Sequence, residues 1–204
     1  MTLSQSGLSD VESYWEKWKE EEAKKQRLAF EQREIVRLGG KYNYLKFTKD
    51  SYDNRKVLAA MDDFPKASYL LFGSVGTGKT HAAVAVGRLE PSTVFYTLGD
   101  LALKIRACSN ASEEIAIYNF CATRPLILDD IGSEKGTEFV INILYRLLDD
   151  RIKNMQGGLI MTSNKDIKNL QEAYGTRITS RLLGLVGNNV LEISGKDRRI
   201  GGVL

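Results

Sequence analysis

Little in this chain invites a metal cluster, a disulfide or a membrane. Its 204 residues include two cysteines, Cys108 and Cys121, and one histidine, His81. Two thiols are too few for a disulfide framework or a four-ligand zinc site, and a lone histidine cannot complete one. The formal net charge of +3 is mildly basic, and the strongly basic stripe that marks many nucleic-acid binders is missing. No run approaches the roughly eighteen apolar residues a membrane span needs. The opening MTLSQSGLSDVESYW lacks a basic stretch followed by an apolar one, so no signal peptide is expected. The chain reads as cytoplasmic, without internal repeats or low-complexity tracts. What is present, 43% hydrophobic and 27% charged residues, suits one α/β domain with a small appendage.

Residues 11–38, VESYWEKWKEEEAKKQRLAFEQREIVRL, are built from strong helix formers. Val11, Tyr14, Trp15 and Trp18 fall on one side of a helix, and the stripe then dissolves into KEEEAKKQR, polar all round. Gly39 and Gly40 are expected to end that helix, which predicts an N-terminal helical segment over 1–40 and a second domain over 41–204. From residue 41 onward, SYLLF (68–72), TVFYT (93–97), PLILDD (125–130), GLIMT (158–162) and NVLEI (189–193) are strand-length apolar runs with helical patterns between them. The clearest helix, TEFVINILYRLLDDRIKN, places Phe139, Val140, Ile143, Leu144, Leu147 and Ile152 on an expected core face. Strands alternating with helices predict a largely parallel sheet covered on both faces.

One stretch carries the chemistry. LLFGSVGTGKTHAAVAV runs from a strand through a glycine-rich loop into a helix, and GSVGTGKT matches G-x-x-x-x-G-K-[ST] in the context that motif requires. Gly73, Ser74, Val75, Gly76, Thr77 and Gly78 would turn backbone N–H groups toward phosphate oxygens, aided by the positive end of the helix opening at Lys79. Lys79 would reach the β- and γ-phosphates of ATP, and Thr80 would hold Mg2+. His81 is grouped with these nucleotide-side residues; it packs in the helix and is not assigned a catalytic role.

PLILDDIG ends an apolar strand in two carboxylates, at the end of a parallel sheet where ligands bind. Asp129 is placed to hold Mg2+ through its water shell, and Asp130, pointing elsewhere, to orient a water at the γ-phosphate. GLIMTSN ends another strand in Thr162, Ser163 and Asn164, whose amide can face the γ-phosphate from the opposite side. Arg177 and Arg181 in YGTRITSRLLG share a helix face: either a solvated pair or cations that reach a γ-phosphate, in a neighbouring subunit if supplied in trans. SGKDRRI adds Arg198 and Arg199. Lys104, Arg106, Tyr118 and Phe120, between the second and third strands, offer charge and stacking for a nucleic acid. KFTKDSYDN is the expected neighbourhood of the adenine, with no single residue to choose.

In this order, the phosphate loop, acid pair, TSN, paired arginines and terminal basic motif resemble an AAA+ ATPase, closest to the DnaC/DnaI-type replicative helicase loaders and the IstB-type transposition helpers. The resemblance spans about residues 45–201. It implies a three-layer P-loop NTPase with a five-stranded parallel sheet, preceded by the short helical segment. LILDDIG resembles the family's Walker B strand, TSN is similar to sensor 1 with Asn164 sensing, and RITSRL looks like the arginine-finger helix, with Arg181 the finger and Arg177 its companion. GKDRR stands where such loaders carry a Gly-x-Ser-Tyr-Arg-like motif, which puts Arg199 at sensor 2 while Asp197 and Arg198 depart from the usual Ser and Tyr. No helical lid domain or C-terminal helix-turn-helix is expected. The family role implies a hexameric replicative helicase as partner, single-stranded DNA, and self-assembly through the ATP sites. The aromatic face of Tyr14, Trp15 and Trp18 is suited to docking on that helicase, or else to packing on this chain's own core or a second copy. Three other readings are a transposition helper with the same engine, a nucleotide-binding adaptor that sequesters a helicase and hydrolyses little, and a small-molecule phosphotransferase. Against the last, the phosphate loop lies well inside the chain.

Overall fold

Five short apolar runs become the strands of one sheet in the computed structural model, which describes residues 21, 24–25, 28–29, 31–34, 37–38, 40, 42–133, 137–154 and 158–198. They are β1 (Tyr69–Phe72), β2 (Val94–Thr97), β3 (Leu126–Ile131), β4 (Leu159–Ser163) and β5 (Val190–Glu192). All pair in parallel in the order β2-β3-β4-β1-β5. Among the described residues, α1 (Arg55–Ala60) precedes β1, and the connections carry six helices: α2 (Lys79–Gly87), α3 (Leu98–Arg106), α4 (Ala111–Thr123), α5 (Glu138–Asn154), α6 (Ile167–Tyr174) and α7 (Thr176–Val186). A 3-10 turn at Tyr42–Lys46 precedes them.

Both faces of the sheet are covered, which is why its strands read as unbroken apolar runs. Successive residues alternate between two cores, as the pleat requires. Leu70, Leu126, Leu128, Leu159 and Met161 pack with α3, α5 and α7 residues, whereas Leu71, Ile127 and Ile160 pack with α1 and α2. The helix after the phosphate loop, α2, is buried at every position except Thr80. Its small residues let it lie close to the sheet: a Cβ on Gly87 would stand 2.6 Å from Ile127 Cδ1. Thr97, Asn110 and Asp166 cap α3, α4 and α6 by accepting from the amides of Asp100, Glu113 and Asn169.

The structure corrects the expected face of α5. Ile152 is exposed, and the inner stripe continues through Leu148 to Arg151. The 3.6-residue period explains this, since a position five after Leu147 has rotated off the stripe while one four after it has not. Tyr118 is likewise buried, with its ring under the Arg146 guanidinium at 4.1 Å, so it is no platform for a nucleic-acid base. Lys104 and Arg106 are exposed.

In the leader, residues 21, 24–25, 28–29, 31–34 and 37 are helical. Its end is tied to the sheet-bearing body. Leu38 is buried in the core with Tyr52 and Met61, and Glu34 pairs with Arg37 and Arg88, each at 3.1 Å. Tyr14, Trp15, Trp18 and Arg199 lie outside the described residues. Among the described residues no helix is long and apolar enough to cross a membrane.

Candidate functional site

The phosphate loop occupies the turn from β1 to α2, and its shape depends on backbone that only glycine adopts readily. Gly78, the residue before α2, has φ 96°. Gly73 has φ 147°, and a Cβ there would collide with Ile193 O at 2.3 Å. Lys79 is buried, and its ammonium donates to Gly73 O (2.8 Å) and Ser74 O (2.7 Å). Thr77 Oγ1 donates to Ser74 O at 2.9 Å, bracing the loop from within.

Across the loop, β3 delivers the acid pair. Asp129 Oδ1 accepts from Thr80 Oγ1 (2.8 Å) and Thr162 Oγ1 (2.6 Å). Burial pushes the Asp129 pKa up, while those two hydroxyl hydrogen bonds pull it back. At Asp130 the strand is irregular: pairing with β4 runs from Leu128↔Met161 to Ile131↔Ser163, one residue longer on β3. Asp130 has φ 58°, a left-handed conformation that aspartate tolerates better than most residues. Its amide donates to Thr162 Oγ1 (2.8 Å) and its Oδ1 accepts from Asn164 Nδ2 (2.8 Å). The bulge therefore turns two neighbouring carboxylates to different partners.

These groups line a cleft of about 480 Å³, bounded by Val75, Gly76, Gly78, Lys79, Thr80, Asp129, Asp130, Thr162 and Asn164 at one end and Tyr44, Phe47, His81 and Arg198 at the other. Phe47 stacks on His81 with ring centroids 4.5 Å apart and 13° between planes, and Tyr44 stacks on Phe47 at 5.1 Å. His81 Nε2 lies 2.8 Å from Ser51 Oγ, and Tyr52 meets the imidazole edge-on at 5.0 Å. Burial lowers the His81 pKa, so the ring is neutral and serves as an aromatic wall. Arg198 joins the loop to the segment before α1: its amide donates to Gly76 O (3.0 Å), its guanidinium lies 4.9 Å from the Tyr52 centroid, and it pairs with Asp53. Such a cleft, polar at one end and aromatic at the other, suits a nucleoside triphosphate.

Thr80 and Asp129 present two hard oxygen donors at one point. No group of three or more His, Cys, Asp or Glu side chains gathers there or elsewhere among the described residues. That donor set fits Mg2+, which keeps water and phosphate oxygens as its remaining ligands; it does not fit zinc.

Of the residues singled out from sequence, the cleft brings together Val75, Gly76, Gly78, Lys79, Thr80, His81, Asp129, Asp130 and Asn164. Arg177 and Arg181 do not line it. They stand on α7, where both guanidiniums reach Tyr145 of α5. The cleft also takes in Phe47, from the KFTKDSYDN stretch expected near the adenine, and Arg198, named from sequence as a late cation; sequence reasoning missed Tyr44 and the double role of Thr162. Tyr44 had a faint signal in the closely spaced aromatics of NYLKFTKDSYDN; Thr162 had none beyond ending a strand.

Comparisons with known proteins agree with this geometry. The model of the IstB-like ATP binding protein family matches residues 18–200. The replicative helicase loader DnaC of Buchnera aphidicola subsp. Acyrthosiphon pisum is 27% identical over 170 residues, covering 74% of this chain and 69% of the relative. An ATP-binding protein of insertion sequence IS21 from Pseudomonas aeruginosa is 31% identical over 150 residues, 66% of this chain and 55% of that one. A crystal structure of the DnaC helicase loader superposes with a TM-score of 0.63 at 20% identity, over 74% of this chain and 99% of that chain. Against replication initiator DnaA structures the chain spans about half of their length.

Proposed function

The chain belongs to the IstB-like ATP-binding protein family, a P-loop AAA+ fold, and from that premise we propose that it hydrolyses ATP to load a ring-shaped replicative DNA helicase onto single-stranded DNA. The hydrolytic half rests on one contact, the Asn164 amide on the Asp130 carboxylate at 2.8 Å, which leaves the second carboxylate oxygen to orient a water at the γ-phosphorus. The loop amides and Lys79 hold the phosphates, and Tyr44, Phe47 and His81 receive the base. Thr80 and Asp129 would hold Mg2+, which would supply positive charge beside the phosphates. The water's oxygen bonds to phosphorus as the β–γ bridging bond breaks. Its proton passes toward Asp130, and ADP and phosphate leave. Arg181 of a second copy stabilises the transition-state charge, so ATP favours an assembled state and hydrolysis dissolves it.

The loader half is supported by the likeness to DnaC relatives over most of the chain, with the Tyr14, Trp15 and Trp18 face as the helicase-docking element of residues 1–40. A second reading, a helper that recruits a transposase, is favoured by the IS21 relative. Affinity capture from host lysate with ATP separates them, using the whole chain and a Trp15→Ala/Trp18→Ala variant. Cutting the chain at residue 41 is the poorer test, because it also removes the buried Leu38 and Glu34 contacts. Capture of a replicative helicase by the whole chain, lost in the double variant, supports the loader. A captured transposase supports the helper reading, and no helicase overturns the loader. Arg181→Ala should retain nucleotide binding and lose about a thousandfold in turnover; normal hydrolysis by that variant would remove the finger assignment.

A further inference from the structure

We propose that Tyr145 is a positioning residue that gathers Arg177 and Arg181 into a two-pronged receptor for the terminal phosphate bound by a second copy of this chain. This rests on the reading of Arg181 given above and deepens it. Two guanidiniums one helical turn apart repel each other, and on an ordinary surface they swing apart into water. Here they converge instead. Arg177 Nη2 donates to Tyr145 Oη at 2.6 Å and Arg181 Nη2 donates to the same oxygen at 2.8 Å. Their guanidinium carbons lie 4.1 and 4.4 Å from the Tyr145 ring centroid.

The phenol oxygen offers two lone pairs and the ring a negative face, so a single side chain offsets the repulsion of both cations. The counter-charge nearby is small. Asp149, one turn along α5, accepts from Arg181 Nε at 3.1 Å, but its other oxygen is taken by Lys153 at 2.6 Å. Asp150 also acts on Lys153, and two carboxylates against three cations leave the cluster positive. Arg177 is exposed and Arg181 partly so, and a guanidinium carries five N–H donors, more than these contacts use. A dense anion with several oxygens, presented from outside the chain, is the ligand such a fork fits. A phenylalanine at 145 would keep the ring face and lose the shared acceptor, leaving each arginine to find its own rotamer.

The test uses mixed full-length copies. Lys79→Ala copies lack a working nucleotide site but carry the fork, and Arg181→Ala copies carry the site but lack the finger. Mixing the two should restore ATP turnover. Adding Tyr145→Phe to the Lys79→Ala copies removes both charged-donor hydrogen bonds to the phenol oxygen and should then lower the restored kcat at least about tenfold, with KM for ATP unchanged. The same change placed on the Arg181→Ala copies should leave the restored rate alone. A merely structural role for Tyr145 would act equally in either copy. Equal loss in both arrangements, or no loss in either, overturns the positioning role while the trans finger stands. Failure of the starting mixture to restore any turnover overturns the trans reading and this inference together.

Discussion

Asp130 holds a left-handed backbone, φ 58°, that costs a non-glycine residue roughly 1 kcal/mol or more. Its neighbours over-determine it, the Thr162 hydroxyl on its amide and the Asn164 amide on its carboxylate. At the same scale, the single histidine makes a clean pH probe. Burial sets the His81 pKa below its ordinary 6.5, with a backbone contact at Thr48 opposing. As pH falls below about 6.5 the unfolded chain takes up a proton that folded His81 still refuses, so the unfolded state binds more protons and stability declines until the lower folded pKa is passed. The melting temperature should therefore fall as the pH is lowered from neutral through about 6.5, and His81→Gln should flatten that slope. Identical slopes in the two proteins would clear His81 as the cause.

Among the elements, α5 does more than cover the sheet. Its Arg151 is 1% exposed and donates to Cys121 O, to Arg124 O at 2.6 Å and to Gly158 O at 3.2 Å. Cys121 lies in the last turn of α4, where carbonyls lack partners within the helix and a cation is favoured. One side chain thus finishes α4 and fixes the approaches to β3 and β4. Burial lowers its pKa to about 10, leaving it charged at neutral pH. Arg151→Met keeps much of the volume and abandons those carbonyls, which should cost about 3 kcal/mol in denaturant unfolding. Nucleotide affinity should be spared, because the phosphate loop is built on other elements. A change under about 0.5 kcal/mol would mean that water replaces the guanidinium at no cost.

For the whole molecule, the cleft and the paired arginines stand on different parts of one chain, the cleft at the carboxyl ends of β1, β3 and β4 and the arginines on α7. Neither arginine lines the cleft of its own chain, and in the proposed cycle the fork of one copy serves the phosphate of another, coupling nucleotide state to assembly. Asp130→Asn retains the hydrogen bond with Asn164 in altered form and removes the proton acceptor. With ATP and Mg2+ it should remain in a large assembly for hours, whereas the unaltered chain decays as ATP is spent. Light scattering after size exclusion reads the difference. A variant that stays monomeric with ATP would break the link between site and assembly.

The sequence by itself determined the sheet, the phosphate loop and the order of the motifs. Strands buried on both faces must be continuous apolar runs, and 68–72, 93–97, 125–130, 158–162 and 189–193 lie within a residue or two of the observed strands. The loop is legible for the same reason: its glycines, lysine and threonine act on one ligand from consecutive positions. Tertiary structure alone decided that Thr162 serves both aspartates, that Phe47 lies on His81, that Arg198 joins Gly76 to Asp53, and that Tyr145 holds two arginines. Most of these pairs join positions about thirty or more residues apart. A contact between distant residues leaves no period or spacing in the chain, because it depends on how whole elements come to rest against one another.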